Sequence, residues 1–331
     1  MKIYKAMFMN MVILGTLVTA TAYSWMSMWM GLEINLMSII PILSSCKSPK
    51  SAEASLKYFI TQAIASLLLL MSIILLMFLS NQLNINPKSY PIWMLNTALL
   101  IKMGAAPFHF WFPEVLNGLS WMNCLTMMTW QKIAPMIILM NSLMNTMLIS
   151  FSVISSSIIS VLLILNQTSM RKIMAYSSIN HMAWMLASLM ISTNLWTIYF
   201  SIYSLMNIGL ILMFNLNTIK LINQLLSLKY SMEKMTFSIL FLALAGLPPT
   251  LGFMPKWLII QWLSSNELFI LGFILILSSI ATLFIYMSLM ITSLTTYNWQ
   301  TKQKKSNFSH NYLSMIFMMG LTISTLLSNM I

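Results

Sequence analysis

The sequence predicts an all-α polytopic membrane protein with about eleven transmembrane helices. Three observations lead there. The 331 residues are 59% hydrophobic and 7% charged, with a mean hydropathy of +0.84, whereas soluble domains are nearer a quarter charged. Eleven apolar runs follow one another along the chain, several close to the ~20 residues that cross a bilayer. The basic residues concentrate in alternate connecting stretches, as they do in membrane proteins of fixed orientation.

Taken in order, the first run covers 3–23 behind Lys2 and Lys5. No small-residue cleavage site follows it, so it is expected to remain as a span and not to leave as a signal peptide. Runs near 25–45 and 54–80 come next, and the former holds Glu33 within Trp29-Met-Gly-Leu-Glu-Ile-Asn35. The fourth run, 91–107, is short and enters Ala98-Leu-Leu-Ile-Lys-Met-Gly-Ala-Ala-Pro-Phe-His-Phe-Trp-Phe-Pro113, where Gly104 and Pro107 are expected to break the helix beside Lys102. Proline removes one helical N–H and crowds the carbonyl four residues back, here Met103. Free carbonyls beside a buried ammonium suggest an ion site in a broken helix. The fifth run, 121–141, carries Lys132 in Thr129-Trp-Gln-Lys-Ile-Ala-Pro135. Runs at 147–165, 171–191 and 194–217 follow, with Arg171 opening the middle one and His181 inside it. The ninth, 235–262, is interrupted by Pro248, Pro249 and Pro255 and contains Lys256. The last two lie near 267–293 and 310–330, the latter a C-terminal helix. All of 1–331 is read as a single transmembrane domain, with no extramembrane domain.

The charges give the orientation. Thirteen of the seventeen basic residues lie in, or at helix ends beside, the stretches on the side of the N-terminus, and Lys88 alone lies on the other. The positive-inside rule places that side in the cytoplasm or matrix, with the C-terminus opposite. Lys102, Lys132 and Lys256 are the basic residues that topology does not explain, because all three fall inside runs. The net charge of +12 is thus topological. It forms no aromatic-lined basic module of the kind that binds nucleic acid. The basic stretch 294–309 suits lipid headgroups or a partner subunit equally.

A charged side chain at membrane depth costs about 2.5–3.5 kcal/mol on insertion scales, so Glu33, Lys102, Lys132 and Lys256 are the candidate functional residues. The charge state of a buried lysine depends on its solvation and on any carboxylate nearby. A Glu33 whose distance from Lys102 changes would therefore move a proton. The bland alternative is lysines that snorkel to an interface or rest on a carbonyl. His109, between Phe108 and Phe110, and His181, which shares a helical face with Ser177 and Ser178, fit a proton relay and equally a satisfied contact within the bundle. The 35 methionines read as apolar filler and not as a soft-metal path, since no Cys or His clusters accompany them. Cys46 and Cys124 have no metal or redox spacing. The chain carries no phosphate-binding loop, dinucleotide fingerprint or metalloprotease motif, so neither redox chemistry nor ATP hydrolysis is expected on it.

Trp29–Asn35, Glu53-Ala-Ser-Leu-Lys-Tyr-Phe59, Lys102–Pro113, Thr129–Pro135, Leu165-Asn-Gln-Thr-Ser169, Tyr176-Ser-Ser-Ile-Asn-His181 and Gly246–Trp257 together resemble the NADH-ubiquinone oxidoreductase chain 2 family. These are antiporter-like membrane subunits of mitochondrial complex I, and the likeness is insect-like and nearly full-length. The resemblance implies two inverted five-helix repeats, near 25–141 and 147–293, each with a proline-broken helix: Pro107 in the first, and Pro248, Pro249 and Pro255 in the second. It puts the family's glutamate–lysine pair on Glu33 and Lys102, its central lysine on Lys132 and its exit-side lysine on Lys256. It implies proton translocation across the mitochondrial inner membrane, coupled to quinone reduction elsewhere, with the N-terminus in the matrix and the C-terminus in the intermembrane space. NADH, flavin, iron–sulfur clusters and ubiquinone would belong to partner subunits, with no cofactor on this chain. Other membrane-arm subunits, including neighbouring antiporter-like chains, and phospholipids such as cardiolipin would be its partners. A standalone cation/proton antiporter, or a bridging subunit that does not itself pump, are the alternative readings.

Overall fold

Helices close the hydrogen bonds of their own backbone, which hydrocarbon demands of any spanning segment. Fourteen of them account for most of the described residues. The computed structural model describes residues 2–44, 48–80, 89–142, 145–226, 231–248 and 250–295. The expected C-terminal helix at 310–330, Cys46, Lys88, Pro249 and His310 lie outside the described residues. An isolated antiparallel bridge, Ser169 to Leu221, is the sole extended pairing among the described residues.

The chain divides into two compact units, Met1–Ser152 and Val153–Ile331. The first contains α1 (Lys2–Thr21), α2 (Trp25–Leu43), α3 (Pro49–Ser80), α4 (Ser89–Met103), α5 (Trp111–Gly118), α6 (Trp121–Met128) and α7 (Trp130–Asn141). The boundary falls inside α8 (Thr146–Ile164), and the second unit continues with α9 (Met170–Ile191), α10 (Thr193–Leu216), α11 (Ile222–Leu226), α12 (Ser231–Ala245), α13 (Phe253–Ser265) and α14 (Phe269–Thr295).

In the first unit α1 and α2 meet through glycine. A Cβ on Gly31 would stand 2.6 Å from Thr19 Cγ2 and 3.0 Å from the Gly15 carbonyl, so the two backbones touch. Apolar surface gives helices no reason to associate in lipid, and close backbone approach through small residues supplies dispersion contact instead. Trp29 Nε1 donates to the Ser66 carbonyl at 3.3 Å and binds α2 to α3. The serine-rich α8 is compatible with membrane because its hydroxyls turn back on the carbonyl three residues earlier, as for Ser152 at 2.8 Å and Ser160 at 2.9 Å. In the second unit α9 packs against α10, α13 and α14. It is buried along most of its length, which is why it can carry Asn180, His181 and several serines.

Six helices, α1, α2, α3, α8, α10 and α14, are long and apolar enough to cross a membrane by length and composition among the described residues. The other expected spans within the described residues are present as helices but fail that test for physical reasons. α4 has 15 residues, α9 is long enough but too polar, and two runs are split. The split at 121–141 was not expected: Thr129, at φ −113° and ψ −71°, separates α6 from α7. Its hydroxyl bonds the Leu125 carbonyl at 2.7 Å. Pro135 leaves the Gln131 carbonyl of the following turn without its helical donor. Stretch 108–120, which lies between the expected fourth and fifth runs, holds α5.

Glycine, and not proline, makes both helix breaks, and of the two residues expected to make the first it is Gly104 that does so. α4 ends at Gly104 (φ 72°) and α12 at Gly246 (φ 85°). Each closes a Schellman motif. Gly104 N–H bonds Ile101 O and Ala105 N–H bonds Leu100 O, both at 3.1 Å; Gly246 N–H bonds Ala243 O at 3.2 Å and Leu247 N–H bonds Leu242 O at 3.4 Å. Glycine terminates both helices, because the left-handed conformation costs it least. Pro107, after a cis Ala106–Pro107 bond, and Pro248 follow an end already made. Pro255 corrects the expectation outright: it lies in the first turn of α13, where an N–H would have no helical acceptor. Pro41 and Pro135 sit inside helices without ending them.

Candidate functional site

Lys102, Lys132 and Lys256 are 7%, 2% and 5% exposed, so all three ammonium groups are enclosed by protein. Lys102 lies in the last turn of α4 and lines a polar pocket with Leu32, Asn35, Leu36, Tyr58, Gln62, Gln131 and Pro135. Two carbonyls of the last turn beside it are occupied. Ile101 O receives Trp111 Nε1 at 3.1 Å as well as the Gly104 N–H, and Lys102 O receives Gln62 Nε2 at 3.3 Å. The break beside Lys102 is thus a capped helix end.

The arrangement expected there occurs at the second break. Lys256, in the first turn of α13, donates to Ala245 O at 2.7 Å, the last carbonyl of α12. Its Nζ lies 5.7 Å from the centroid of a Trp184 ring on α9. A Cβ on Gly246 would stand 3.0 Å from that Nζ, so this glycine serves both the turn and the lysine's approach. Lys132 is likewise set over an aromatic face, 5.4 Å from the Phe112 ring centroid. Such faces attract a cation through the ring quadrupole and offer it no proton acceptor.

Glu33, on α2, is half-buried, and its Oε1 is buried without a hydrogen-bond partner among the described residues. It is the carboxylate that acts electrostatically on Lys102, yet no ion pair joins them among the described residues. His109 is buried, with Nδ1 3.3 Å from Pro107 O and Nε2 without a partner among the described residues. His181 is buried, with Nδ1 2.8 Å from the Tyr199 hydroxyl and its ring 5.0 Å from that of Tyr203. Ser177 and Ser178 share its helix, and each returns its hydroxyl to its own backbone. Among the described residues no three His, Cys, Asp or Glu side chains gather as metal ligands.

The neutral partners were missed from sequence. Tyr58 donates to Gln131 Oε1 at 3.3 Å, and Gln131 Nε2 donates to Asn35 Oδ1 at 2.9 Å. These residues come from α3, α7 and α2, and no spacing rule connects them. The signal that would have found Gln131 is an amide next to a lysine inside an apolar run, since such a group must find a partner at membrane depth.

The model of the NADH:quinone oxidoreductase/Mrp antiporter transmembrane family matches residues 22–284. NADH-ubiquinone oxidoreductase chain 2 of Anopheles gambiae is 48% identical over 325 residues, covering 96% of this chain and 94% of the relative. That of Aedes aegypti is 43% identical over 337 residues, covering 98% of each. The chain belongs to the NADH-ubiquinone oxidoreductase chain 2 family. A mammalian member, from Civettictis civetta, is 41% identical over 96% of this chain and 93% of the relative. In fold, the chain resembles one of respiratory complex I from Thermus thermophilus with bound aureothin, at a TM-score of 0.86 and 21% identity over 97% of this chain and 78% of that one. It also resembles a chain of the Mrp complex from Dietzia sp., at 0.77 and 16% identity over 87% and 59%. The glycine-closed breaks and their buried lysines lie within the matched region of this family.

Proposed function

We propose that the chain is a core membrane subunit of respiratory complex I in the mitochondrial inner membrane and contributes to proton translocation there. Relatives of nearly its whole length carry the name of a complex I chain, which favours that reading over a standalone antiporter. Quinone reduction and the redox centres belong to partner subunits, and neighbouring antiporter-like chains and phospholipids surround it. The two units correspond to inverted repeats, with the N-terminus in the matrix. The relay runs from Glu33 to Lys102, on to Lys132 and then to Lys256. A change of charge at one station alters the proton affinity of the next, and each pKa unit corresponds to about 1.4 kcal/mol.

The observation that carries the relay is burial: three lysines that topology does not require are each enclosed by protein, two of them at glycine-closed helix ends. His109 and His181 are further proton-holding groups beside that path. Lys102→Ala and Glu33→Ala complexes are expected to assemble and to oxidise NADH with an artificial acceptor, but to lose coupled quinone reduction. Proton uptake per electron and turnover, measured together in reconstituted vesicles, check this. Normal values of both in either variant would sink the relay.

A further inference from the structure

This inference rests on the relay reading and adds a residue to it. Lys102 and Lys132 occupy one unit but different surroundings. Lys102 faces the polar pocket, which Lys132 does not line. Successive helical residues point about 100° apart, so α7 presents Gln131 to the pocket while Lys132 turns to Phe112 on α5. Phe112 packs back on the first break, where a Cβ on Gly104 would stand 3.2 Å from Phe112 Cβ. Phe112 therefore touches both the Gly104 break and the Lys132 ammonium, while Gln131, next to Lys132 in sequence, lines the pocket of Lys102. Both ends of the Gln131 amide are engaged, the nitrogen with Asn35 and the oxygen with Tyr58.

A carboxamide donates and accepts hydrogen bonds with fixed polarity, and at neutral pH it neither takes up nor releases a proton. We propose that Gln131 is a positioning residue that keeps the Lys102 pocket closed toward Lys132. Proton exchange between the two lysines then requires its bonds to Asn35 and Tyr58 to open. The local backbone permits this movement. The helix is interrupted at Thr129, two residues earlier, and Pro135 offers no N–H to the Gln131 carbonyl. Asn35 and Tyr58 belong to α2 and α3, so a shift of either helix changes the clamp. Glu33 lies on α2 as well, two residues before Asn35, which links the first relay station mechanically to the closure.

Three variants in the assembled complex test this. Q131L fills the space but bonds neither neighbour, so it should leak, moving fewer protons per electron at undiminished quinone reduction and more severely than loss of a single bond does. Q131E reproduces both bonds when protonated and repels Asn35 Oδ1 when ionised. It should therefore acquire a pH dependence absent from the parent, with protons moved per electron falling as pH rises. Y58F removes one bond of the clamp and should leak, moving fewer protons per electron at undiminished quinone reduction. A purely structural Gln131 would lower the amount of assembled complex in all three and leave protons per electron and the pH profile of the assembled enzyme unchanged. That result, or parent-like behaviour of all three, overturns the proposal. If Lys102→Ala loses coupling while the Gln131 variants behave normally, the relay stands and the closure alone is rejected. If Lys102→Ala is normal, both fall.

Discussion

Four helix ends among the described residues place a residue in the left-handed region, and two of those residues are not glycine. Thr218 has φ 51° and Glu267 φ 61°. Each closes the same pair of bonds as the glycine ends: Glu267 N–H reaches Ser264 O at 3.3 Å, and Leu268 N–H reaches Leu263 O at 3.0 Å. An L side chain in that conformation costs roughly 1–2 kcal/mol, which glycine avoids. Both residues are exposed, so neither side chain offers burial in return. Glu267→Gly is therefore expected to stabilise the subunit by about 1 kcal/mol, seen as a higher midpoint for its thermal unfolding in the purified complex. An unchanged or lower midpoint would contradict the strain. Gly104 was legible as a helix stop, but threonine and glutamate carry no such signal. Only the backbone shows that these helices end the same way. Gly246 has a second duty invisible in sequence, since the side chain it admits belongs to Lys256, ten residues on.

At the scale of elements, α5 carries a lesson about what holds a helix in place. Lys57 on α3 sits 2.8 Å from Glu114 of α5 and 3.0 Å from Glu53, a visible three-charge cluster. All three side chains are substantially exposed, and such pairs contribute at most about 1 kcal/mol. The tighter constraint is steric. A Cβ on Gly118 would stand 2.6 Å from the Lys50 carbonyl and 2.7 Å from Ala54 Cβ, so the end of α5 lies directly on α3. Lys57→Met should thus shift stability by less than about 1 kcal/mol. Gly118→Leu should cost several-fold more, of order 3 kcal/mol, by forcing the helices apart. Protease sensitivity of the α5 segment in the assembled complex distinguishes them, and a larger effect for Lys57→Met would reverse the argument. From sequence, Lys57 stood out only within the Glu53–Phe59 stretch, and 108–120 was simply the interval between two apolar runs. Eight residues are too few for a periodic pattern to stand out, and the helix exists because α3 receives it.

For the whole molecule, the orientation in the membrane is a prediction of the charge pattern. The connection between α8 and α9 lies just before Arg171 and Lys172, on the basic side, and Asn166 there is exposed. Asn166→Cys should react with a membrane-impermeant thiol reagent in inverted inner-membrane particles and not in mitoplasts. Labelling in mitoplasts would place the N-terminus in the intermembrane space and reverse the proposed direction of transport. Each unit, taken by itself, holds one glycine-closed break, and each break has a buried lysine on one flank: the last turn of α4 in the first, the first turn of α13 in the second. The two breaks are therefore not chemically alike. Lys102 lines a polar pocket and Lys256 rests on a freed carbonyl.

By itself the sequence determined the class of fold, the positions of most helices and the identity of the anomalous charges. Those follow from local composition: an apolar run must be helical in lipid, and a lysine within it stands out wherever the chain goes. Tertiary structure alone decided what each lysine meets. Asn35 and Gln131 lie far apart along the chain, as do Trp184 and Lys256, and a neutral amide or an indole in an apolar run announces nothing until another helix is placed against it. Hydrophobic patterning is read one helix at a time, whereas a hydrogen bond between helices exists only after they have packed.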